Sequence, residues 1–294
     1  MKYILFSLLF PLFCVGCYNE DVLVATERPE FKYSLPQGAH EYDDKIVDWF
    51  KRGDFYILYK FEPKDVYFDG SYWIETTWDS ASHIYNGNIL VEVAEEEFVE
   101  EQLMLIEEMF LEFYPDTILR RCMPMKLLLC SSLKREPSSK QMHVYSGYDY
   151  LAVNWGNEQI RSLSNKEKLL FKNEVNKTFF KRIYDKELMA ISEDFTVLSP
   201  YGNRVEKENM YEQGFLKDSY VGLDEKTDWM SYIEVILEYP YTFLCEEPED
   251  GDYSMKGILH PKKDSRGLIN LKYEILTKYL FDTYGVDIQK IGDK

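Results

Sequence analysis

The stretch from about Asn165 to Tyr184 constrains the fold more tightly than any other part of the sequence. Phe171, Val175, Phe179 and Ile183 recur four residues apart and drift slowly around one side of a helix, with Lys166, Asn173, Lys177 and Lys181 roughly opposite. Such a helix is about 30 Å long by its rise per residue, and it has to bury that apolar side. Just before it lie two compact runs, Met125 to Cys130 and Tyr148 to Trp155, strand-like and separated by a Lys/Ser-rich loop. Further upstream, Phe55 to Tyr59, Tyr72 to Thr76 and Ile89 to Val93 are short β-branched or aromatic runs bounded by Gly, Asp and Asn, which predicts strands or extended arms. From Glu95 to Tyr114 the period changes: Phe98, Leu105, Met109 and Phe113 recur at helical spacing until Pro115. Downstream, Asp228 to Tyr239 reads as a helix ended by Pro240, and Leu268 to Tyr284 as a last helix closed by Gly285. The expected class is α+β, a mixed sheet packed on several helices.

The first residues predict a compartment. Lys2 supplies a positive start, Tyr3 to Val15 is an apolar run of signal-peptide length, and Gly16 is the small residue expected before a cleavage site. Val15-Gly16-Cys17 resembles a lipobox, with Cys14 where Leu is usual, so Cys17 is expected to be the lipidated first residue of the mature chain. A diacylglyceryl and an N-acyl chain together supply the two or more anchors that stable membrane attachment needs. Asn19-Glu20-Asp21 resembles the acidic export tag of lipoproteins on the outer face of the Bacteroidota outer membrane. Residues 17 to 40, with Pro29, Pro36 and Gly38, read as a tether, and residues 41 to 294 as one domain.

Composition excludes some functions. With 34 Lys+Arg against 52 Asp+Glu the net charge is −18, which repels phosphate backbones and argues against a nucleic-acid partner. Beyond Cys17, the cysteines Cys122, Cys130 and Cys245 lack CxxC spacing and read as apolar side chains. His40, His83, His143 and His260 are scattered, with no HxxxH pair. Glu95-Glu96-Glu97 and the acidic run Glu246 to Asp252 read as solvated surface. The abundant Tyr and Phe serve a core first, and carbohydrate stacking second.

The order helix, strand, strand, helix, then two more helices, is similar to that of zincin-like metallopeptidases. Their active-site helix carries His-Glu-x-x-His: two imidazoles one turn apart bind zinc, and the Glu acts as general base. At the matching place this chain has Phe171-Lys172-Asn173-Glu174-Val175-Asn176-Lys177. From about Tyr42 to Ile291 the chain resembles the zinc-binding metallopeptidases found as Bacteroidota surface lipoproteins, encoded with starch-utilisation-type TonB-dependent transporters and their substrate-binding lipoproteins. Asp44 to Phe50 resembles that family's opening, Leu268 to Asp287 its close, and Thr227-Asp228-Trp229-Met230-Ser231 its acidic downstream segment, where Asp228 stands for a third ligand. Asn173 and Lys177 stand where the two imidazoles belong, so the resemblance implies a zincin-like fold without its zinc ligands and with no cofactor. Glu174 keeps the general-base position with no activated water to serve.

The resemblance therefore implies a non-catalytic binding or accessory lipoprotein of an outer-membrane uptake system. Its former active-site cleft, with Asn173, Glu174, Lys177 and Asp228, would hold a peptide. Lys177, three residues after Glu174, would pair with it, or neutralise the old metal pocket. The alternatives are a zinc-dependent hydrolase with non-standard ligands, such as Glu174, Asp228 and a distant His, and a glycan-binding module using Tyr and Trp.

Overall fold

A computed structural model describes residues 33–62, 66, 77–79, 84–86, 89–135 and 140–294. The signal and lipobox readings, Asn19 to Asp21, Pro29, the strand expected over Tyr72 to Thr76 and His83 lie outside the described residues. Leu35–Lys294 form one compact unit.

Helix α1 (Glu41–Gly53) begins at an extended His40, whose N–H donates to Asp43 Oδ2 at 2.9 Å. Acidic Glu41, Asp43 and Asp44 sit in its first turn and basic Lys51 and Arg52 in its last, as the helix dipole favours. It buries Tyr42, Ile46 and Trp49 and leads into β1 (Tyr56–Leu58). β2 (Thr77–Asp79) and β3 (Ile84–Asn86) pair antiparallel as a separate two-stranded sheet.

The main sheet is organised by β5 (Lys126–Arg135). Its first half lies between β1 and β8 (Tyr150–Val153), both parallel to it, with Leu127 opposite Ile57 and Leu151. Its second half pairs antiparallel with β4 (Ile89–Val93) and β6 (Lys140–Gln141). β7 (Val144–Ser146) runs antiparallel to β8 and ends the order β1-β5-β8-β7. The apolar run from Met125 to Cys130 is thus part of a longer strand, buried over 126–133 because both faces are covered. The Lys/Ser-rich loop carries β6 and β7, too short and too polar to show a period.

The helix expected over Glu95 to Tyr114 is three pieces. A 3₁₀ turn (Glu96–Phe98) precedes α2 (Val99–Met109), and a second 3₁₀ turn (Leu111–Phe113) follows it. The break falls at Phe110, at φ −145° and ψ −69°, whose fully buried ring packs edge-on against Tyr114 and Phe179. The Met109 carbonyl freed there accepts from Asn176 Nδ2 at 2.9 Å, and Tyr114 Oη donates to Asn176 Oδ1 at 2.7 Å. After α3 (Asp116–Cys122) and the sheet comes α4 (Asn165–Asp185), the long helix of the sequence reading, with Phe171, Val175, Phe179 and Ile183 all fully buried. Then follow α5 (Glu193–Thr196), α6 (Glu225–Glu238), α7 (Tyr241–Cys245), α8 (Leu268–Tyr284) and α9 (Ile288–Asp293). Gly285, at φ 69°, ends α8 in the left-handed conformation that glycine adopts without strain. The fold is α+β, a mixed sheet with helices packed on it. Cys122 and Cys130 are free and buried, and burial raises the Cys122 thiol to about 11. Among the described residues no helix is long and apolar enough to cross a membrane.

Candidate functional site

α4 starts at a reciprocal cap. Ser164 Oγ accepts from the Glu167 N–H, and Glu167 Oε2 accepts from the Ser164 N–H at 2.8 Å. The helix is then held to its neighbours along its length. Arg182 donates to Gly147 O at 2.7 Å and Tyr148 O at 2.9 Å, which pins the end of β7 to α4. Lys177 pairs with Glu238 at the end of α6, and Lys226 near its start pairs with Asp185 at 2.7 Å, so α4 and α6 run antiparallel and are bridged near both ends.

This arrangement corrects two sequence expectations. Lys177 does not pair with Glu174: the facing helix offers Glu238, and Glu174 remains exposed without an ion-pair partner among the described residues. Nor does Asp228 line a cleft with Asn173 and Lys177. It is fully buried in the first turn of α6, where its Oδ2 accepts from Lys272 Nζ of α8 at 2.5 Å and from Tyr201 Oη at 2.8 Å. Burial pushes the Asp228 carboxyl up and the Lys272 ammonium down from their ordinary values, each opposed by the partner's charge. Asn173 is half-buried, and its Oδ1 is buried without a hydrogen bond.

The sequence reading missed the group that faces Glu174. Trp155 Nε1 donates to His143 Nδ1 at 2.9 Å, which leaves Nε2 to carry the proton of the neutral ring. The His143 ring meets Phe171 of α4 edge-on, and Glu174 and Glu167 lie within electrostatic reach. Burial lowers the His143 pKa, and those carboxylates oppose the shift. Trp155 has φ 86°, a conformation costing a non-glycine residue on the order of 1–3 kcal/mol. It is held there by its N–H to Asn154 Oδ1 at 2.8 Å. Asn154 is itself fully buried, its Nδ2 donating to Gln141 Oε1 and Met142 O, and its carbonyl accepting from Gln102. No sequence signal marks a left-handed tryptophan; the one hint was a tryptophan-glycine pair directly after a strand.

The edge beside this group is open. Gly147 N–H bonds Tyr150 O, and His143 O accepts from Asn154 N–H, so His143, Tyr145 and Gly147 face β8 by the alternation of an antiparallel ladder. Val144 and Ser146 therefore turn their backbone groups outward, and no strand among the described residues pairs with that edge.

These residues do not fit zinc. Asn173 offers one amide oxygen, Lys177 a cation already paired with Glu238, and Asp228 a carboxylate held by Lys272 in the core. Among the described residues no group of three His, Cys, Asp or Glu is placed to hold a metal ion. No protein-family model matches the sequence, and no curated protein matches it. In overall path the chain is similar to a crystal structure described as a "putative zinc-binding metallo-peptidase" from Bacteroides caccae ATCC 43185, at 15% identity and a TM-score of 0.49, over 87% of this chain and 91% of that one.

Proposed function

We propose that the chain is a non-catalytic, lipid-anchored binding protein that holds an extended peptide along the outer edge of β7 beside α4. On this reading Cys17 tethers it to the outer membrane, and it serves an uptake assembly with a TonB-dependent transporter and its substrate-binding lipoprotein. The observation that carries the reading is the open β7 edge, fixed to α4 by Arg182 and preceded by His143, which has Glu174 within electrostatic reach. An added strand gains main-chain hydrogen bonds to the outward groups of Val144 and Ser146 and needs no metal. At the helix positions where a zinc peptidase presents imidazoles, Lys177 supplies an ammonium locked to Glu238. The sequence from Lys2 to Asp21 supports the anchor and the surface location.

The test is fluorescence anisotropy of labelled unstructured peptides, with zinc or with chelator, on the purified chain. Saturable binding indifferent to both is expected, without cleavage. Ser146→Pro removes an outward N–H and no ladder bond; measured against Ser146→Ala, which loses only the hydroxyl that accepts from Arg182, it should weaken binding about tenfold, or 1.4 kcal/mol. Zinc-dependent cleavage, or unchanged affinity in Ser146→Pro, would overturn the reading. Cys17→Ser should move the protein from the membrane to the soluble fraction; retention on the membrane would remove the lipid anchor.

A further inference from the structure

On the other part of the sheet, beside an irregularity in the pairing of β4 with β5, lies a cleft of about 650 Å³ that shares no residue with α4 or β7. Its floor is built by a β-bulge. Glu92 pairs with Ser132 but Val93 pairs with Cys130, so Ser131 is an extra residue on β5. Adjacent strand residues ordinarily point to opposite faces; a bulge re-aims one of them, and here both Ser131 and Ser132 line the cleft. Asn157 holds the bulge by donating to Ser131 O. Both serines are more than nine-tenths buried, and neither hydroxyl has a hydrogen-bond partner among the described residues.

The rim specifies charge. Glu92, Glu95 and Glu158 line the cleft without ion-pair partners among the described residues, against one such cation, Lys134. Arg161 is occupied with Glu101 at 2.8 Å and Glu97 at 3.5 Å. Its guanidinium also covers the Phe98 ring, 4.6 Å from the centroid, so the cleft's one aromatic ring is not open for a sugar to stack on. The carboxylates do not converge on a point that could hold a metal ion. A cleft of this size, with spaced negative charges and hydroxyl acceptors beneath them, suits an elongated cation rather than a compact one.

We infer that this cleft binds a molecule carrying two or more separated ammonium groups, presented by a linear polyamine or by the lysines of a basic peptide. The carboxylates of Glu92, Glu95 and Glu158 take the ammonium groups, and the Ser131 and Ser132 hydroxyls accept from whichever N–H reaches the floor. The inference stands apart from the reading of β7 and survives its failure.

Isothermal titration of the purified chain with spermidine and with trilysine tests it, with calcium and a neutral trisaccharide as comparison ligands. Saturable binding of one or both amines is expected, weakening with salt, and the tighter arm tells which source the cleft prefers. Glu92→Gln with Glu95→Gln should weaken amine binding about tenfold. Ser132→Val, which changes no charge, should also weaken it, while Glu249→Gln with Asp250→Asn on the remote acidic loop should leave it unchanged. Equal loss in the remote pair would reduce the effect to diffuse attraction by a chain of net charge −18 and overturn the proposal. So would unaltered affinity in the Glu92/Glu95 double variant, absence of saturable amine binding, or preference for calcium or the sugar.

Discussion

The two ends of α6 carry the same kind of ion pair in opposite surroundings. At its start, Asp228 meets Lys272 with both side chains fully buried; at its end, Glu238 meets Lys177 with 39% and 29% of those side chains exposed. The Lys272 ammonium also donates to Gly214 O at 3.1 Å and lies 4.6 and 5.0 Å from the ring centroids of Phe195 and Phe215, with Tyr201 and Tyr232 slightly farther. Its charge is met from every side within the fold, and Asp228 is thereby withdrawn from any ligand. At the open end the charges remain in reach of solvent, and a bound molecule can meet them there. Charge pairing therefore locks Asp228 into the core, although the neighbouring Lys226 pairs with Asp185 in solvent, and leaves Glu238 on a surface where binding can develop.

The largest effect expected from this contrast is at the buried end. Lys272→Met strands the Asp228 carboxylate, whose Oδ1 already lacks a partner, and should lower unfolding free energy by about 3 to 5 kcal/mol in denaturant titration. Adding Asp228→Leu should recover most of the loss, because an apolar pair replaces a lone charge. A single-variant loss below about 1 kcal/mol would show that the pair is hydrated, and the contrast would collapse.

Next in size is a designed change at the open end. Asn173→His with Lys177→His places two imidazoles one helical turn apart and frees Glu238. Zinc should then stabilise the variant by about 2.7 kcal/mol at a hundredfold excess over its Kd, and should leave the natural chain unmoved. An equal zinc shift in the natural chain would mean that other residues already supply the ligands.

An effect of comparable size is expected from Lys172, another ammonium of α4. It is buried on α4 with one hydrogen bond, to Ile291 O at 2.6 Å, and burial lowers its pKa to about 8. The unfolded value is near 10.4, so between those values the unfolded chain binds more protons and stability should rise with pH, by about 3 kcal/mol at most. Lys172→Met should flatten that rise; an unchanged slope would assign it to other groups.

What was legible in the sequence follows the same division. α4 and α8 were readable because most of their buried positions are apolar and recur at helical spacing, and because Gly285 closes α8. Lys172, Asn176 and Lys272 were not. A lysine within a helix normally keeps its charge in solvent, and only the tertiary arrangement shows that a carbonyl or a carboxylate waits in the core. α1 was missed as a helix because its sequence start depends on His40 and Asp43 acting together rather than on a common cap residue. At the candidate site, Glu174 and Lys177 were found by position in a motif, whereas His143, Trp155 and Arg182 came from elements far apart in sequence. Ser131 was invisible, since a bulge is a mismatch between two strands and neither strand records it alone.

The smallest expected effect is Lys177→Met, and it is the most discriminating. A half-exposed pair between two helices is worth about 0 to 1 kcal/mol, because water already solvates both charges and long side chains lose freedom in meeting. Two readings then separate. If Lys177 serves only to bridge α4 and α6, the variant should lose no more than that amount in denaturant titration, the loss should vanish at high salt, and peptide affinity should be unchanged. If its ammonium also sets the electrostatics at the β7 edge, freeing Glu238 makes the surface of α4 and α6 more negative. Affinity should then shift in opposite directions for acidic and basic peptides while stability barely moves. A destabilisation as large as that of Lys272→Met would show that solvent does not reach this end of α6, and the two ends would have to be read as one buried system.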